Sequence, residues 1–338
     1  VCDFDVYLGW RQQYCGIEKV ELDGVIYYLV DNRFYFARDY IYGYGFEELE
    51  RFAFFCRAVL EAMPMIGFFP DILHVNDWQT GMIPALLKIQ YAQFPFYQDM
   101  KTVYTIHNLQ YQGVFPIKAV QDTLGLGDDL FTSDKLECYG CANYMKAGLV
   151  YADELTTVSP SYADEIQTAF YGERLDGLLR ARAGSLTGIL NGIDTQLYDP
   201  AATSGLAANF SARSLVKGKA ECKLALQRAV GLEENADVPI IACISRLVGH
   251  KGFSLVTDAL HEIMAMNVQM VVLGTGDWQY EAAFREAQVQ YPGRFAAQIT
   301  YSAPLSTVIY AGADLFLMPS VSEPCGLSQM IAMRYGTV

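Results

Sequence analysis

Long hydrophobic runs are missing from this sequence. Its longest apolar stretches, such as residues 63–70 and 270–273, are far shorter than the roughly 20 residues that a helix needs to span a bilayer, so we expect no membrane segment. Basic residues are also scarce, since 24 Lys and Arg stand against 38 Asp and Glu for a net charge of −14. This balance argues against nucleic acid or another polyanion as a general partner. Any phosphate group must therefore be bound locally by a few cations.

Paired cysteine spacing is nearly absent as well. The eight cysteines are scattered, several of them in apolar contexts, which is unlike the disulfide framework of a small secreted protein. We therefore expect a reducing, cytoplasmic location. One C-x-x-C run, from Cys138 to Cys141, has neither a second cysteine pair nor a nearby histidine. This argues against a zinc site, and we interpret both thiols as packing residues.

Length and alternation predict an α/β protein of two domains. A chain of 338 residues with 52% hydrophobic content is large enough for two cores. Short strands in a hairpin arrangement are expected in residues 1–36, with breaks at Gly16, at Asp23-Gly24 and at Asp31-Asn32. Beyond them, apolar runs alternate with helical patterns, which predicts doubly wound parallel sheets. We place the domains at residues 1–190 and 191–338.

Segment 314–329, DLFLMPSVSEPCGLSQ, is the strongest candidate for a functional loop. Its apolar start predicts a buried strand, and helical spacing begins at Gly326. Between the strand and the helix, the loop carries the carboxylate of Glu323. The residues that follow offer free backbone N–H groups that favour a negatively charged group; they are Cys325, Gly326 and Leu327. Loops of this kind bind ligands in open α/β sheets, although the same residues also fit an ordinary helix cap.

Two cations follow another predicted strand. Residues 239–244 lead into the run SRLVGHKG, which contains Arg246 and Lys251 with no carboxylate between them. A solvated turn would have a similar composition. At the carboxyl end of a strand beside the Glu323 loop, however, this pair is well suited to a phosphate.

Polar residues also end two predicted strands of the first domain. Asp77 follows the apolar run 71–75, and His107 follows the run 102–106. The carboxyl ends of parallel strands lie on one edge of a sheet, which favours a functional over a purely structural role for these side chains. In the second domain, a G-x-G run follows the predicted strand 268–273. The dinucleotide-binding fingerprint G-x-G-x-x-G requires a third glycine at position 279, where this chain has Gln279, so the fingerprint is not matched. We expect a tight turn instead.

These runs together resemble a known family. SRLVGHKG and EPCGL are similar to the C-terminal domain of bacterial glycogen synthases and plant starch synthases. The runs that resemble the N-terminal domain of that family, in the family's order, are HVNDWQTGMIPALL from His74, TIHNLQYQGVFP from Thr105, MKAGLVYADELTTVSPSYADEI from Met145 and GILNGID from Gly188. The resemblance extends essentially from end to end. It implies the GT-B fold, in which two Rossmann-like domains face a central cleft.

The resemblance also implies a reaction. ADP-glucose would donate its glucosyl unit to the non-reducing 4-hydroxyl of an α-1,4-glucan with retention of configuration. Arg246 and Lys251 would stabilise the leaving diphosphate, as a metal does elsewhere, and no D-x-D run ends a predicted strand. We therefore expect neither a metal nor another cofactor. Glu323 would hold glucose hydroxyls and orient the oxocarbenium-like sugar.

Further residues receive roles by the same resemblance. Asp77, His107 and Asn191 would face the transferred glucose. Tyr301, at the end of the predicted strand 295–301, is either packing at the edge of the core or a side chain that stacks on adenine, and the resemblance favours stacking. The remaining candidates for donor contact are Tyr42, in the tyrosine-rich loop 38–44, and the loop residues Cys325, Gly326 and Leu327.

Two other functions stay open. A related GT-B glycosyltransferase with another acceptor often carries a second glutamate eight residues after the first, where this chain has Ile331. The second possibility is an inactive fragment that binds a nucleotide sugar or a glucan. The chain begins at Val1 and lacks the K-x-G-G-L and T-G-G-L loops and the closing helix of the family, so it looks cut at both ends. We expect such a fragment to fold only partly and to have little activity. The sequence does not indicate an oligomeric state.

Overall fold

The computed structural model describes residues 1–43 and 45–338, and the chain divides into two units, Val1–Leu190 (unit 1) and Asn191–Val338 (unit 2). Tyr44, in the predicted tyrosine-rich loop, lies outside the described residues. No helix in the described part of the chain combines the length and the apolar composition that crossing a membrane requires.

Unit 1 opens with an antiparallel sheet of β1 (Cys2–Leu8), β2 (Arg11–Leu22) and β3 (Val25–Asp31). The predicted turn at Asp23-Gly24 is confirmed, because these two residues join β2 to β3. The predicted break at Gly16 is wrong: Gly16 lies inside β2, opposite Asp3 and Asp31. A Cβ at this position would lie 2.7 Å from the hydroxyl oxygen of Tyr14. The glycine therefore leaves room for a tyrosine rather than ending the strand.

A parallel sheet follows in unit 1, with strands β4 (Ile72–Asn76), β5 (Lys101–Ile106), β9 (Glu154–Thr157) and β10 (Leu186–Gly188) in the order β10-β9-β5-β4. A small antiparallel sheet contains β6 (Val114–Phe115), β7 (Glu137–Cys138) and β8 (Cys141–Asn143). The helices of unit 1 are α1 (Arg33–Phe36), α2 (Phe46–Met65), α3 (Asp77–Thr80), α4 (Met82–Leu86), α5 (Ile117–Leu124), α6 (Tyr144–Tyr151), α7 (Pro160–Glu165) and α8 (Asp176–Ala181).

Local chemistry explains where several of these elements start. The side chain of Ser159 accepts a hydrogen bond from the backbone N–H of Tyr162, and Pro160 occupies the first turn of α7. This cap satisfies one of the donors that a helix start leaves unpaired. Helix α2 has Glu47 and Glu48 in its first turn, where negative charge complements the helix dipole.

Unit 2 contains a second parallel sheet. Its strands are β11 (Ile240–Ile244), β12 (Gln269–Leu273), β13 (Phe295–Gln298) and β14 (Leu315–Phe316), and its helices are α9 (Leu215–Val230), α10 (Phe253–Ala265), α11 (Trp278–Gln290), α12 (Ala303–Gly312) and α13 (Leu327–Arg334). The strand order is β13-β12-β11-β14. The chain thus advances from β11 to β13 and then returns, so that β14 pairs with the opposite side of β11.

The two faces of this sheet carry separate cores. On one face, Phe253 of α10 and Phe284 of α11 are buried together with Phe295 of β13. On the other face, Leu226 of α9 and Ile309 of α12 are buried with neighbouring strand residues. Helices on both faces of a parallel sheet confirm the predicted doubly wound arrangement of this unit.

Two predicted boundaries in unit 2 differ from the structure. The strand predicted at 295–301 ends at Gln298, because the chain turns there toward Ser302, which caps α12 by accepting a hydrogen bond from the N–H of Leu305. Tyr301 consequently lies in a loop. The last helix begins at Leu327, one residue later than predicted, because Gly326 has the left-handed φ of 73° and forms the N-cap.

A close backbone contact joins the loops that follow β11 and β14. Gly252 has a φ of 74°, and a Cβ at this position would lie 1.9 Å from the carbonyl oxygen of Pro319. A second link is the hydrogen bond from the N–H of Val321 to the carbonyl oxygen of His250, at 3.0 Å. The two loops are therefore fixed to each other through their backbones.

We predict that Gly252→Ala destabilises unit 2 more than Gly231→Ala does. Both glycines have a left-handed backbone, with φ of 74° and 78°, which costs an alanine about 1 kcal/mol. A Cβ at Gly231 would meet nothing within 4 Å, whereas one at Gly252 would collide with Pro319. We expect the collision to lower the unfolding free energy by a further ~2 kcal/mol. Urea unfolding measures both variants, and equal losses would contradict the close contact.

Candidate active site

In unit 2, the carboxyl ends of two neighbouring strands meet where the strand order reverses. β11 and β14 pair in parallel, with Ile241 opposite Leu315, while β12, the next strand in the chain, lies on the other side of β11. Open α/β sheets bind their ligands at such a point. The loop after β11 carries Arg246 and Lys251, and the loop after β14 carries Glu323. Contacts of His250, Lys251 and Gly252 bring the two loops together, while Arg246 is exposed.

An ion pair connects the two loops directly. The ammonium Nζ of Lys251 lies 2.6 Å from Oε2 of Glu323, and the side chains are 16% and 24% exposed. The hydroxyl of Ser320 donates a second hydrogen bond to the same oxygen, at 3.0 Å. Partial burial makes such a pair stronger than one on the open surface. The sequence predicted a carboxylate near two cations, but it did not predict this contact or the part of Ser320 in it.

The alternative that Glu323 merely caps a helix is wrong. The N-cap of α13 is Gly326, and no side chain makes a capping hydrogen bond there. The carboxylate of Glu323 is instead held by Lys251 and Ser320. Gly326 and Leu327 line a small pocket together with Lys251 and Glu323, and Cys325 is half-buried. An anion in this pocket would meet a cation and the start of a helix.

His250 lies between the two cations in sequence and was not predicted as a site residue. Burial, followed by the positive charges of Lys251 and Arg246, lowers the pKa of His250. Its imidazole is therefore favoured in the neutral form. The ring atom Nε2 is buried and has no hydrogen-bond partner within residues 1–43 and 45–338. A histidine in a run of basic residues gives no sequence signal that separates this state from a charged one.

In unit 1, the structure joins the two predicted polar residues. Asp77 follows β4, and its Oδ1 accepts hydrogen bonds from the backbone N–H groups of His107, at 2.8 Å, and Asn108, at 3.4 Å. Nε2 of His107 lies 2.9 Å from Oδ1 of Asn76. Burial raises the pKa of Asp77, while the backbone hydrogen bonds from His107 and Asn108 act in the opposite direction. Asn76 was not predicted as a site residue, and only this contact identifies it.

The backbone of Asp77 is strained. Its φ is 57°, a left-handed conformation that is uncommon outside glycine, although asparagine and aspartate adopt it more often than most residues. Strained residues of this kind cluster at functional sites, where the surrounding structure holds them in place. This conformation supports a functional role for Asp77.

The other predicted donor contacts are less constrained. Tyr301 is 89% exposed and Tyr42 is 63% exposed, while Asn191 is half-buried. Within the described part of the chain, no group of three or more His, Cys, Asp or Glu side chains is arranged to hold a metal ion. Cys138 and Cys141 face each other across the β7–β8 hairpin as half-buried free thiols.

Both units are similar to known protein families. Residues 1–181 match the family model described as starch synthase catalytic domain, and residues 238–338 match the model described as glycosyl transferases group 1. A glycogen synthase from Geobacillus thermodenitrificans is 54% identical over 100% of this chain and 69% of its own length. A glycogen synthase from Clostridioides difficile is 50% identical over 99% of this chain and 70% of its own length.

A solved structure gives the same result. The catalytic domain of starch synthase IV from Arabidopsis thaliana, bound to ADP and acarbose, superimposes with a TM-score of 0.92 at 33% identity. The match covers 100% of this chain and 70% of the plant chain. The GT-B fold expected from the sequence is thereby confirmed.

We predict that Asp77→Asn preserves stability better than Asp77→Ala. Asparagine tolerates the φ of 57° and retains an oxygen that can accept the hydrogen bonds of His107 and Asn108. Alanine loses both features, at a cost of about 2 to 3 kcal/mol in unfolding free energy. Chemical unfolding followed by circular dichroism measures this difference. Equal destabilisation by the two substitutions would show that neither the strained backbone nor the accepting oxygen matters.

Proposed function

The chain belongs to the family of bacterial glycogen synthases and plant starch synthases, and we propose that it is an ADP-glucose-dependent α-1,4-glucan synthase. It transfers the glucosyl unit of ADP-glucose to the non-reducing 4-hydroxyl of an α-1,4-glucan, with retention of the anomeric configuration. The observation that carries this proposal is the Lys251–Glu323 pair at the switch point of the unit 2 sheet. It combines an anion-binding group and a carboxylate in one pocket.

The cations act on the leaving group. As the bond between glucose and the diphosphate breaks, negative charge grows on the diphosphate oxygens. Arg246, Lys251 and the first N–H groups of α13 stabilise that charge more in the transition state than in the ground state. We propose that these two cations take the role that a metal ion has in other transferases, so that the reaction needs no metal ion or other cofactor.

Glu323 acts on the sugar. One of its oxygens, Oε2, already interacts with Lys251 and Ser320, and this interaction spreads its negative charge and weakens it as a nucleophile. The carboxylate therefore holds glucose hydroxyls and stabilises the oxocarbenium-like sugar by charge rather than by forming a covalent bond. In unit 1, Asp77 and His107 are suited to bind sugar hydroxyls, as is Asn191 at the start of unit 2.

A glycosyltransferase with two glutamates eight residues apart is disfavoured by a specific observation. The second glutamate would replace Ile331, which is 7% exposed and packs with Tyr310 and Tyr335 in an apolar cluster. A carboxylate there would be buried without a partner. The eight free cysteines fit a reducing location, and we assign the protein to the cytoplasm.

We predict that Glu323→Gln lowers kcat of the complete gene product at least about a hundredfold, or around 2.7 kcal/mol, while KM for ADP-glucose changes little. The substitution keeps the shape of the side chain but removes the charge that opposes the developing positive charge on the sugar. Glu234→Gln is the matched control, because Glu234 is half exposed and paired with Arg228 on the surface. Chain elongation from radiolabelled ADP-glucose gives both constants. A Glu323→Gln variant with unchanged kcat would contradict the proposed role.

We also predict a preference for ADP-glucose over UDP-glucose that depends on Tyr301. An exposed tyrosine can stack on adenine, and such stacking contributes about 1 to 3 kcal/mol. Tyr301→Ala should therefore lower kcat/KM for ADP-glucose by roughly 5- to 150-fold and affect UDP-glucose less. Tyr139→Ala, which removes a tyrosine that is 72% exposed in unit 1, is the control. Equal turnover of the two donors by the unaltered protein would refute the assignment of the donor.

A further inference from the structure

We propose that Ser320 is a positioning residue for Glu323. Its hydroxyl and the ammonium of Lys251 together fix Oε2 of Glu323 and so orient Oε1 toward the sugar of the donor. This inference rests on the proposed function, and it assigns the two carboxylate oxygens different tasks.

The geometry at Oε2 supports this division. Nζ of Lys251 lies 2.6 Å from Oε2, and Oγ of Ser320 lies 3.0 Å from the same atom. The last torsion of a glutamate side chain is broad and roughly two-fold, so one donor alone allows the carboxylate plane to swing. Two donors from different loop positions restrict that swing. Neither of these hydrogen bonds uses Oε1.

Backbone contacts next to Ser320 fix its position relative to Lys251. Its preceding residue, Pro319, lies against Gly252, next to Lys251 in the chain. Its following residue, Val321, donates its N–H to the carbonyl oxygen of His250, the other neighbour of Lys251. Ser320 and Lys251 are thus held at fixed positions relative to each other by contacts on both sides. A carboxylate that accepts hydrogen bonds from both donors is therefore restricted in its orientation.

Orientation of this carboxylate matters most when charge develops. A misaligned Oε1 can still bind a neutral sugar hydroxyl, but it stabilises a growing positive charge less well. Loss of the Ser320 hydroxyl should therefore lower kcat more than it raises KM. A hydrogen bond to a charged group typically corresponds to a change of about 10- to 100-fold, and we expect the lower end because Lys251 remains.

The test uses Ser320→Ala, Ser320→Thr and the control Ser306→Ala in the complete gene product. Ser306 lies on α12, and its hydroxyl donates to the backbone carbonyl of Ala303. We expect kcat of Ser320→Ala to fall about tenfold with KM for ADP-glucose within roughly twofold. Threonine should restore most of the activity because it keeps the hydroxyl. Ser306→Ala should behave like the unaltered protein.

A double-mutant cycle with Glu323→Gln separates positioning from a structural effect. If Ser320 acts through the charged carboxylate, adding Ser320→Ala to Glu323→Gln should change kcat by less than about twofold. The same tenfold loss in both backgrounds would overturn the proposal, as would normal kcat in Ser320→Ala or no recovery with threonine. Absence of transfer by the unaltered protein would refute the proposed function as well. Normal transfer by the unaltered protein, together with an unchanged kcat in Ser320→Ala, would refute only the positioning role.

Discussion

The site in unit 2 depends on the close contact between Gly252 and Pro319. Only a residue without a Cβ allows these two backbones to approach, and the approach brings the loop after β11 onto the loop after β14. The Lys251–Glu323 ion pair and the hydrogen bond from Val321 to His250 join the same two loops. If the loops separated, the carboxylate would lose its cation and the pocket would lose one wall. A steric requirement at one glycine therefore underlies the electrostatics of the site.

The charges of this site contrast with those of the chain. The protein carries a net charge of −14, so a diphosphate would be repelled at most of its surface. Arg246 and Lys251 reverse the sign locally, and the lowered pKa of His250 keeps a third positive charge from this loop. Glu323 offsets part of the charge of Lys251 before any ligand binds. The site thus favours an anion without accumulating cations that would destabilise one another.

Local patterns in the sequence predicted the elements well, because apolar runs, capping residues and glycine turns act over a few residues. The strands β4, β5 and β11 illustrate this. The break predicted at Gly16 is wrong because the glycine is needed to leave room for the side chain of Tyr14 in the same strand. The strand before Tyr301 was predicted too long. The Lys251–Glu323 contact joins residues 72 apart in the chain. It depends on the strand order, which local patterns do not encode.

The two units use one design for a polar side chain that follows a parallel strand. In unit 1, Asp77 after β4 is held by backbone N–H groups after the neighbouring strand β5. In unit 2, Glu323 after β14 is held by Lys251 after the neighbouring strand β11, and by Ser320 of its own loop. In each case, one carboxylate oxygen accepts a hydrogen bond from a donor in the loop that follows the neighbouring strand. Because that donor is fixed by the sheet, the carboxylate is oriented before a substrate arrives, which lowers the reorganisation needed during the reaction.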